Sequence, residues 1–251
     1  MSSGSSPEIR RFTCVDSALS ELARAAREDT AMPDFTSVLA EHQNAGRGRS
    51  GREWLDDSGS SLLLATLIRV NDADLPWATL VAGLAVCDTL EARGLTPGLK
   101  WPNDVLLEGR KVCGILCEHI DTIAAHHRIG VGIGVNIGII PEGAGPIAGA
   151  IPLEEGESAS CVRESLLSHI LAALDRRLAQ TRSEWRSDYL SHLHGLGETT
   201  SVRLPGSEAC TLTPIGISED GALEAVDESG QSFILSVGDV DLPTARQGER
   251  A

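Results

Sequence analysis

Residues 130–138 read Gly130-Val131-Gly132-Ile133-Gly134-Val135-Asn136-Ile137-Gly138. Glycine alternates with β-branched residues, the pattern of a strand with one apolar face and one bared face. A bared face weakens a strand unless another group packs against it. The run looks like a Gly-x-Gly-x-x-Gly dinucleotide fingerprint, but no helix follows Gly134, which excludes that fold. The strand extends over about 128–139. Upstream lies Lys111-Val112-Cys113-Gly114-Ile115-Leu116-Cys117-Glu118, within a strand over 111–119. Period two predicts Lys111, Cys113, Ile115 and Cys117 on one face, with the lysine opening it at the core edge. Glu108-Gly109 is a turn joining this strand to one over 105–107, and 98–101 supplies another.

Working outward, Ser61-Leu62-Leu63-Leu64-Ala65-Thr66-Leu67-Ile68-Arg69-Val70 is a nearly continuous apolar run, as a strand covered on both faces requires. Pro76 opens a helix over 78–92 that Gly94 ends. Strands are expected over 12–15 and 35–42, with a helix over 18–28 capped by Ser17 between them. Residues 43–60 form a glycine-rich loop and 141–157 another. A long helical stretch over 158–194 breaks near Arg182-Ser183. Beyond Gly195 come short strands (200–204, 209–217, 222–227, 232–237) separated by turn residues, the texture of a small β-barrel. The predicted class is α+β: a tail (1–11), a mixed-sheet domain (12–196), a barrel (197–245) and a tail (246–251).

Composition narrows the function. The 251 residues carry a formal charge of −15, which opposes binding nucleic acid through phosphate neutralisation. No apolar run approaches the roughly 18 residues of a membrane span. The N-terminal Met-Ser-Ser-Gly-Ser-Ser-Pro has no apolar core, so a secretory signal is not expected and the cytoplasm is. Six cysteines show no zinc-site spacing. His126-His127 and the His192/His194 pair lack a third ligand nearby and read as solvated. Only two of the 21 basic residues are lysines, Lys100 and Lys111.

Chemistry gathers in the clusters around them. Gly46-Arg47-Gly48-Arg49-Ser50-Gly51-Arg52 joins flexible backbone N–H groups to permanently charged planar donors, a combination suited to phosphate. The same composition also fits a solvated loop or an RNA-binding arm; acidity and the lack of an aromatic platform disfavour the arm. Lys100-Trp101-Pro102-Asn103-Asp104 sets a cation, an amide and a carboxylate at a strand end. Asp104 is a candidate ligand for Mg²⁺.

In this order and spacing the clusters resemble the biotin–protein ligases. The matching pieces are the glycine-arginine loop, the Lys-Trp-Pro-Asn-Asp motif, the Lys-x-x-Gly-Ile-Leu-x-Glu strand and the Gly-x-Gly-x-Asn strand, with Gln43 before the loop. The resemblance implies a catalytic domain of the biotin/lipoate ligase type, class II synthetase-like, followed by an SH3-like barrel, without the DNA-binding domain of repressor-type members. It implies that biotin and MgATP form biotinyl-5′-AMP, and that the biotinyl group passes to a lysine of a carboxylase's carrier domain. Lys111 and Arg49 are then the catalytic cations. Ser17, Gln43, Gly46, Arg47, Arg49, Lys111 and Gly114 are expected to bind biotin. Arg47, Arg49, Arg52, Trp54, Lys100, Asn103, Asp104 and Asn136 are expected to bind ATP, with Asn136 reading the adenine edge. Trp101 is a second candidate for packing against the ligand. After Ser17 the family continues Thr-Asn, whereas this chain has Ala18 and Leu19. A monomer or weak homodimer, no DNA and no membrane are expected. The alternatives are a lipoate–protein ligase-like acyltransferase of the same fold and a non-catalytic biotin- or adenylate-binding relative; the arginine loop with Lys-Trp-Pro-Asn-Asp favours biotin.

Overall fold

The computed structural model describes residues 8–57, 59–204, 206 and 208–240. Seven strands form a central mixed sheet: β1 (Ile9–Val15), β2 (Ser37–Gln43), β3 (Ser61–Val70), β4 (Pro97–Lys100), β5 (Asp104–Leu107), β6 (Arg110–Ile123) and β7 (His126–Asn136). Their order across the sheet is β1-β2-β3-β7-β6-β5-β4. β1 and β2 run parallel and the other neighbours antiparallel. β1 begins at Ile9, not at residue 12, so Ile9, Arg10 and Arg11 of the expected tail pair with Ser37, Val38 and Leu39. Residues 1–7 and 246–251 of the expected tails lie outside the described residues.

The continuous apolar run of β3 is explained by helices on both faces. Leu62, Leu64 and Ile68 join a core with α2 (Ala78–Glu91) and α3 (Ala159–Leu178). Leu63, Ala65 and Leu67 join a second core with Leu19, Leu22, Ala23 and Ala26 of α1 (Ala18–Glu28). Ser17 caps α1 by accepting from the Ser20 N–H. The long helical stretch breaks at 179–181, just ahead of the expected Arg182-Ser183, and α4 (Arg182–His192) follows. Thr181 and Glu184 form a capping box there, which fixes the new helix start.

The glycines of β7 are filled by two other elements. A Cβ at Gly130 would lie 2.7 Å from Leu19 Cδ1, and one at Gly134 would lie 2.5 Å from the Trp54 ring. The bared face therefore seats α1 along one half and an indole along the other. No helix among the described residues is long and apolar enough to cross a membrane.

The C-terminal strands β8 (Thr200–Arg203), β9 (Ala209–Ile217), β10 (Leu223–Val226), β11 (Ser232–Leu235) and β12 (Asp239–Val240) form an antiparallel sheet in the order β11-β10-β9-β8-β12. Where a closed barrel is expected, β11 and β12 are the two edges among the described residues. Two buried tryptophans dock this sheet on the larger one. Trp77 Nε1 donates to Glu219 O at 2.8 Å and Trp101 Nε1 to Gly221 O at 3.1 Å.

Candidate active site

A cavity of about 570 Å³ opens where the bared face of β6 and β7 meets the start of α1, the arginine loop and β12. That volume suits a small organic ligand. Of the residues expected to bind, Ser17, Gln43, Arg47, Arg49, Arg52, Trp54, Lys100, Asn103, Asp104, Lys111, Gly114 and Asn136 all line it. Gly46 is not among its lining residues. A Cβ there would stand 2.2 Å from the Trp54 carbonyl oxygen, so this glycine lets two segments of the loop pass close together.

Lys111 reaches the cavity because of a β-bulge. Val105 pairs with Cys113 but Leu106 pairs with Lys111, which leaves Val112 as an extra residue. An extra residue inverts the alternation. The expected shared face of Lys111 with Cys113, Ile115 and Cys117 is therefore corrected: Lys111 lies with Gly114, its Cε 3.2 Å from where a Gly114 Cβ would be. Cys113 turns into the opposite core. Burial pushes its thiol well above the ordinary range and raises that of Cys117 to about 11, so neither supplies a thiolate nucleophile.

Both lysines converge on one buried carboxylate. Lys111 Nζ lies 2.7 Å from Asp104 Oδ1, and Lys100 Nζ lies 3.2 Å from Oδ2. Asp104, the candidate Mg²⁺ ligand, thus faces an ammonium on each of its oxygens. In this arrangement it holds both lysines. Lys111 Nζ also lies 5.6 Å from the Trp54 ring centroid, within range of a cation–π contact.

The loop arginines are held by acids. Arg47 makes a two-pronged pair with Glu118, one bond at 2.9 Å. Arg49 donates to Asn103 Oδ1 at 3.1 Å and to Gly238 O at 3.3 Å. Arg52 binds both oxygens of Asp239, at 2.8 and 3.0 Å. The loop base is closed by Asp56, which accepts from the Gln43 N–H at 3.2 Å and contacts His42 Nδ1 at 2.8 Å. Gln43 Oε1 accepts from the Ala18 N–H at 2.8 Å, joining the loop's root to the start of α1.

Besides Asp104 Oδ1, whose partner is the Lys111 ion pair, two lining residues keep buried polar atoms without a hydrogen bond, Trp54 Nε1 and Asn136 Oδ1. The Asn136 amide is fixed by its Nδ2, which donates to Gly149 O at 2.8 Å. Buried orphans are uncommon, and here a donor and an acceptor share one cavity wall. Trp101 is core: its N–H is satisfied and its ring is buried. Sequence reasoning did not single out Asp239, which is remote in the chain and has no motif around it. Leu19 was noted only as a departure from Thr-Asn; it lines the cavity and fills the hollows at Gly130 and Gly132.

Two carboxylate-bound lysines and an arginine loop over the bared strands of a mixed sheet make a cavity suited to carboxylate and phosphate groups. The chain belongs to the Biotin/lipoate A/B protein ligase family, whose sequence profile matches residues 22–136. Within it, the chain is 35% identical over 229 residues to the biotin–[acetyl-CoA-carboxylase] ligase of Mycobacterium tuberculosis, covering 87% of this chain and 82% of that protein. It is 36% identical to the enzyme of the same name from Paracoccus denitrificans, covering 78% and 86% of the two chains. Among solved structures, the biotin protein ligase of Aquifex aeolicus in complex with biotin and ATP matches 95% of this chain and 99% of its own. The TM-score is 0.69 and the identity 28%.

Proposed function

We propose that this chain joins biotin to ATP as biotinyl-5′-AMP, releasing pyrophosphate, and passes the biotinyl group to a lysine of a biotin carboxyl carrier domain. The observation that carries this reading is the position of Lys111, an ammonium fixed between Asp104 and Trp54 on the wall that also presents the arginine loop. The nucleophile of the first step is biotin's own carboxylate, so the site must bring two anions together and offset the charge growing at the α-phosphate. Lys111 bridges carboxylate and phosphate; Arg49 and Arg52 take the outgoing phosphates; Lys100 and Asn103 hold the nucleotide. Asn136 Oδ1, an orphan acceptor, suits the exocyclic amine of adenine. Magnesium would accompany the triphosphate beside Asn103 and would supply further charge neutralisation there.

In the second step the carrier's lysine amine attacks the acyl carbon, the acyl–phosphate bond breaks, and AMP leaves with its charge facing Lys111. Ser17 and Gln43 bound the end of the cavity beside α1 and hold the biotin ring there, with Arg47 and Gly114 beside it. The relatives' names favour biotin over lipoate. The free cysteines fit a reducing cytoplasm. Incubation with biotin, ATP, Mg²⁺ and a carrier domain is expected to add one biotinyl group to the carrier by mass spectrometry. Lipoyl transfer in a parallel incubation with lipoate, without biotinyl transfer from biotin, selects the sister reaction, and an unmodified carrier in both defeats the proposal.

A further inference from the structure

Asp239 occupies the ground assigned to phosphate. It lines the cavity, yet it belongs to the C-terminal sheet. Both its oxygens lie within 3.0 Å of one Arg52 nitrogen, and Oδ1 lies 3.5 Å from Arg49. A carboxylate bridging two guanidiniums makes the same charge-assisted bonds that a phosphate group makes. We propose that Asp239 is a competing anion, a positioning residue that holds Arg49 and Arg52 in register and yields them to the phosphates of ATP. This inference rests on the nucleotide reading of the loop given above.

Three observations make the exchange feasible. First, the Asp239 side chain is 34% exposed and that of Arg52 58%, so water weakens the pair and a polyanion outbids it. Second, among the described residues β12 is a sheet-edge strand, paired with β8 through Asp239–Arg203 and Val240–Val202. Third, Arg49 keeps another acceptor in Asn103 Oδ1, outside the C-terminal sheet, so it stays aimed at the cavity once the carboxylate withdraws. The C-terminal sheet thereby responds to the nucleotide through one side chain.

A structural anchor and a competitor predict opposite signs. Loss of an anchor loosens the loop and weakens nucleotide binding, whereas loss of a competitor strengthens it. The test is calorimetric titration of the full chain with inorganic pyrophosphate and, separately, with ATP, both without biotin. Asp239→Asn keeps the shape and removes the charge. Its affinity for both probes is expected to rise about two- to fivefold, the scale of a partly exposed ion pair. Asp239→Glu is expected to stay near the unmodified chain. With ATP present, the β8 and β12 amides are expected to exchange hydrogen faster. Equal or weaker binding by Asp239→Asn, or no binding by either chain, overturns the proposal. An unmodified carrier domain alongside tighter pyrophosphate binding by Asp239→Asn would overturn the ligase reading and leave this one standing.

Discussion

Lys111 and Asp104 form an ion pair of 2.7 Å on the wall of the cavity, and Lys100, the chain's other lysine, holds the second oxygen of the same carboxylate. One acid thus fixes every ammonium side chain the protein has. Asp104→Asn removes the charge both lysines share and leaves two cations close together. We expect kcat for pyrophosphate release to fall at least about tenfold, equivalent to some 1.4 kcal/mol of barrier. The Mg²⁺ concentration giving half-maximal rate should stay unchanged. A raised Mg²⁺ requirement would return Asp104 to the role of metal ligand.

Lysine at 111 is a matter of shape as well as charge. Its Cε passes close over Gly114, and its ammonium sits between Asp104 and the Trp54 ring. A guanidinium is planar and wider than that gap. Lys111→Arg should therefore be as inactive as Lys111→Ala in pyrophosphate release, while both keep the melting temperature of the unmodified chain within a few degrees. Substantial activity in the arginine variant would mean that a cation of any shape suffices.

Gly134 and Trp54 should be coupled. A Cβ at Gly134 falls 2.5 Å from the indole, so Gly134→Ala must displace the ring. Overpacking of this kind costs about 1–3 kcal/mol. Denaturant unfolding should show that loss in Gly134→Ala. Adding Trp54→Ala should recover most of it, giving a favourable coupling in a double-mutant cycle. Additive losses would show that the ring does not rest on this glycine.

Acid should weaken the tie between α1 and the sheet. Arg128 is fully buried and binds Asp121 at 2.5 and 2.7 Å, with further bonds to Ala26 O and Asp29 O at the end of α1. The guanidinium holds the Asp121 carboxyl below its usual 3.8. A depressed carboxylate stabilises the fold fully above about 3.8 and loses that contribution as pH falls through its lower folded value. Arg128→Met abolishes the depression. At pH 7 it should cost about 1–3 kcal/mol, as expected when hydrogen bonds to a buried guanidinium are lost beside a partly exposed acid. Between pH 5 and 2 its stability should fall less steeply than that of the unmodified chain, measured by urea unfolding at each pH. Parallel acid limbs would contradict this.

How far the sequence could be read depended on range. β3 is placed to the residue because its apolar run records burial on both faces, a local property. The glycines of β7 announced a bared face, but only the fold reveals that Leu19 and Trp54 fill it. Period two misplaced Lys111 because one residue, Val112, inverts the parity, and a bulge leaves no mark in alternation. The arginine loop was legible as a cation cluster. Its restraint by Glu118 and Asp239 was not, since those partners arrive from other strands, Asp239 through 187 positions of chain. The pairing of Asp104 with Lys111 was not legible, because the lysine eleven residues beyond Lys100 gives no sign, in sequence, of returning to it.

The central claim is that Lys111 bridges a carboxylate and the α-phosphate in a biotin-dependent adenylation. The most direct measurement is pyrophosphate release from ATP and Mg²⁺ with and without biotin, for the unmodified chain and for Lys111→Ala. The account predicts release by the unmodified chain that requires biotin, and none above background from the variant. Release that ignores biotin, or that persists in Lys111→Ala, would contradict it.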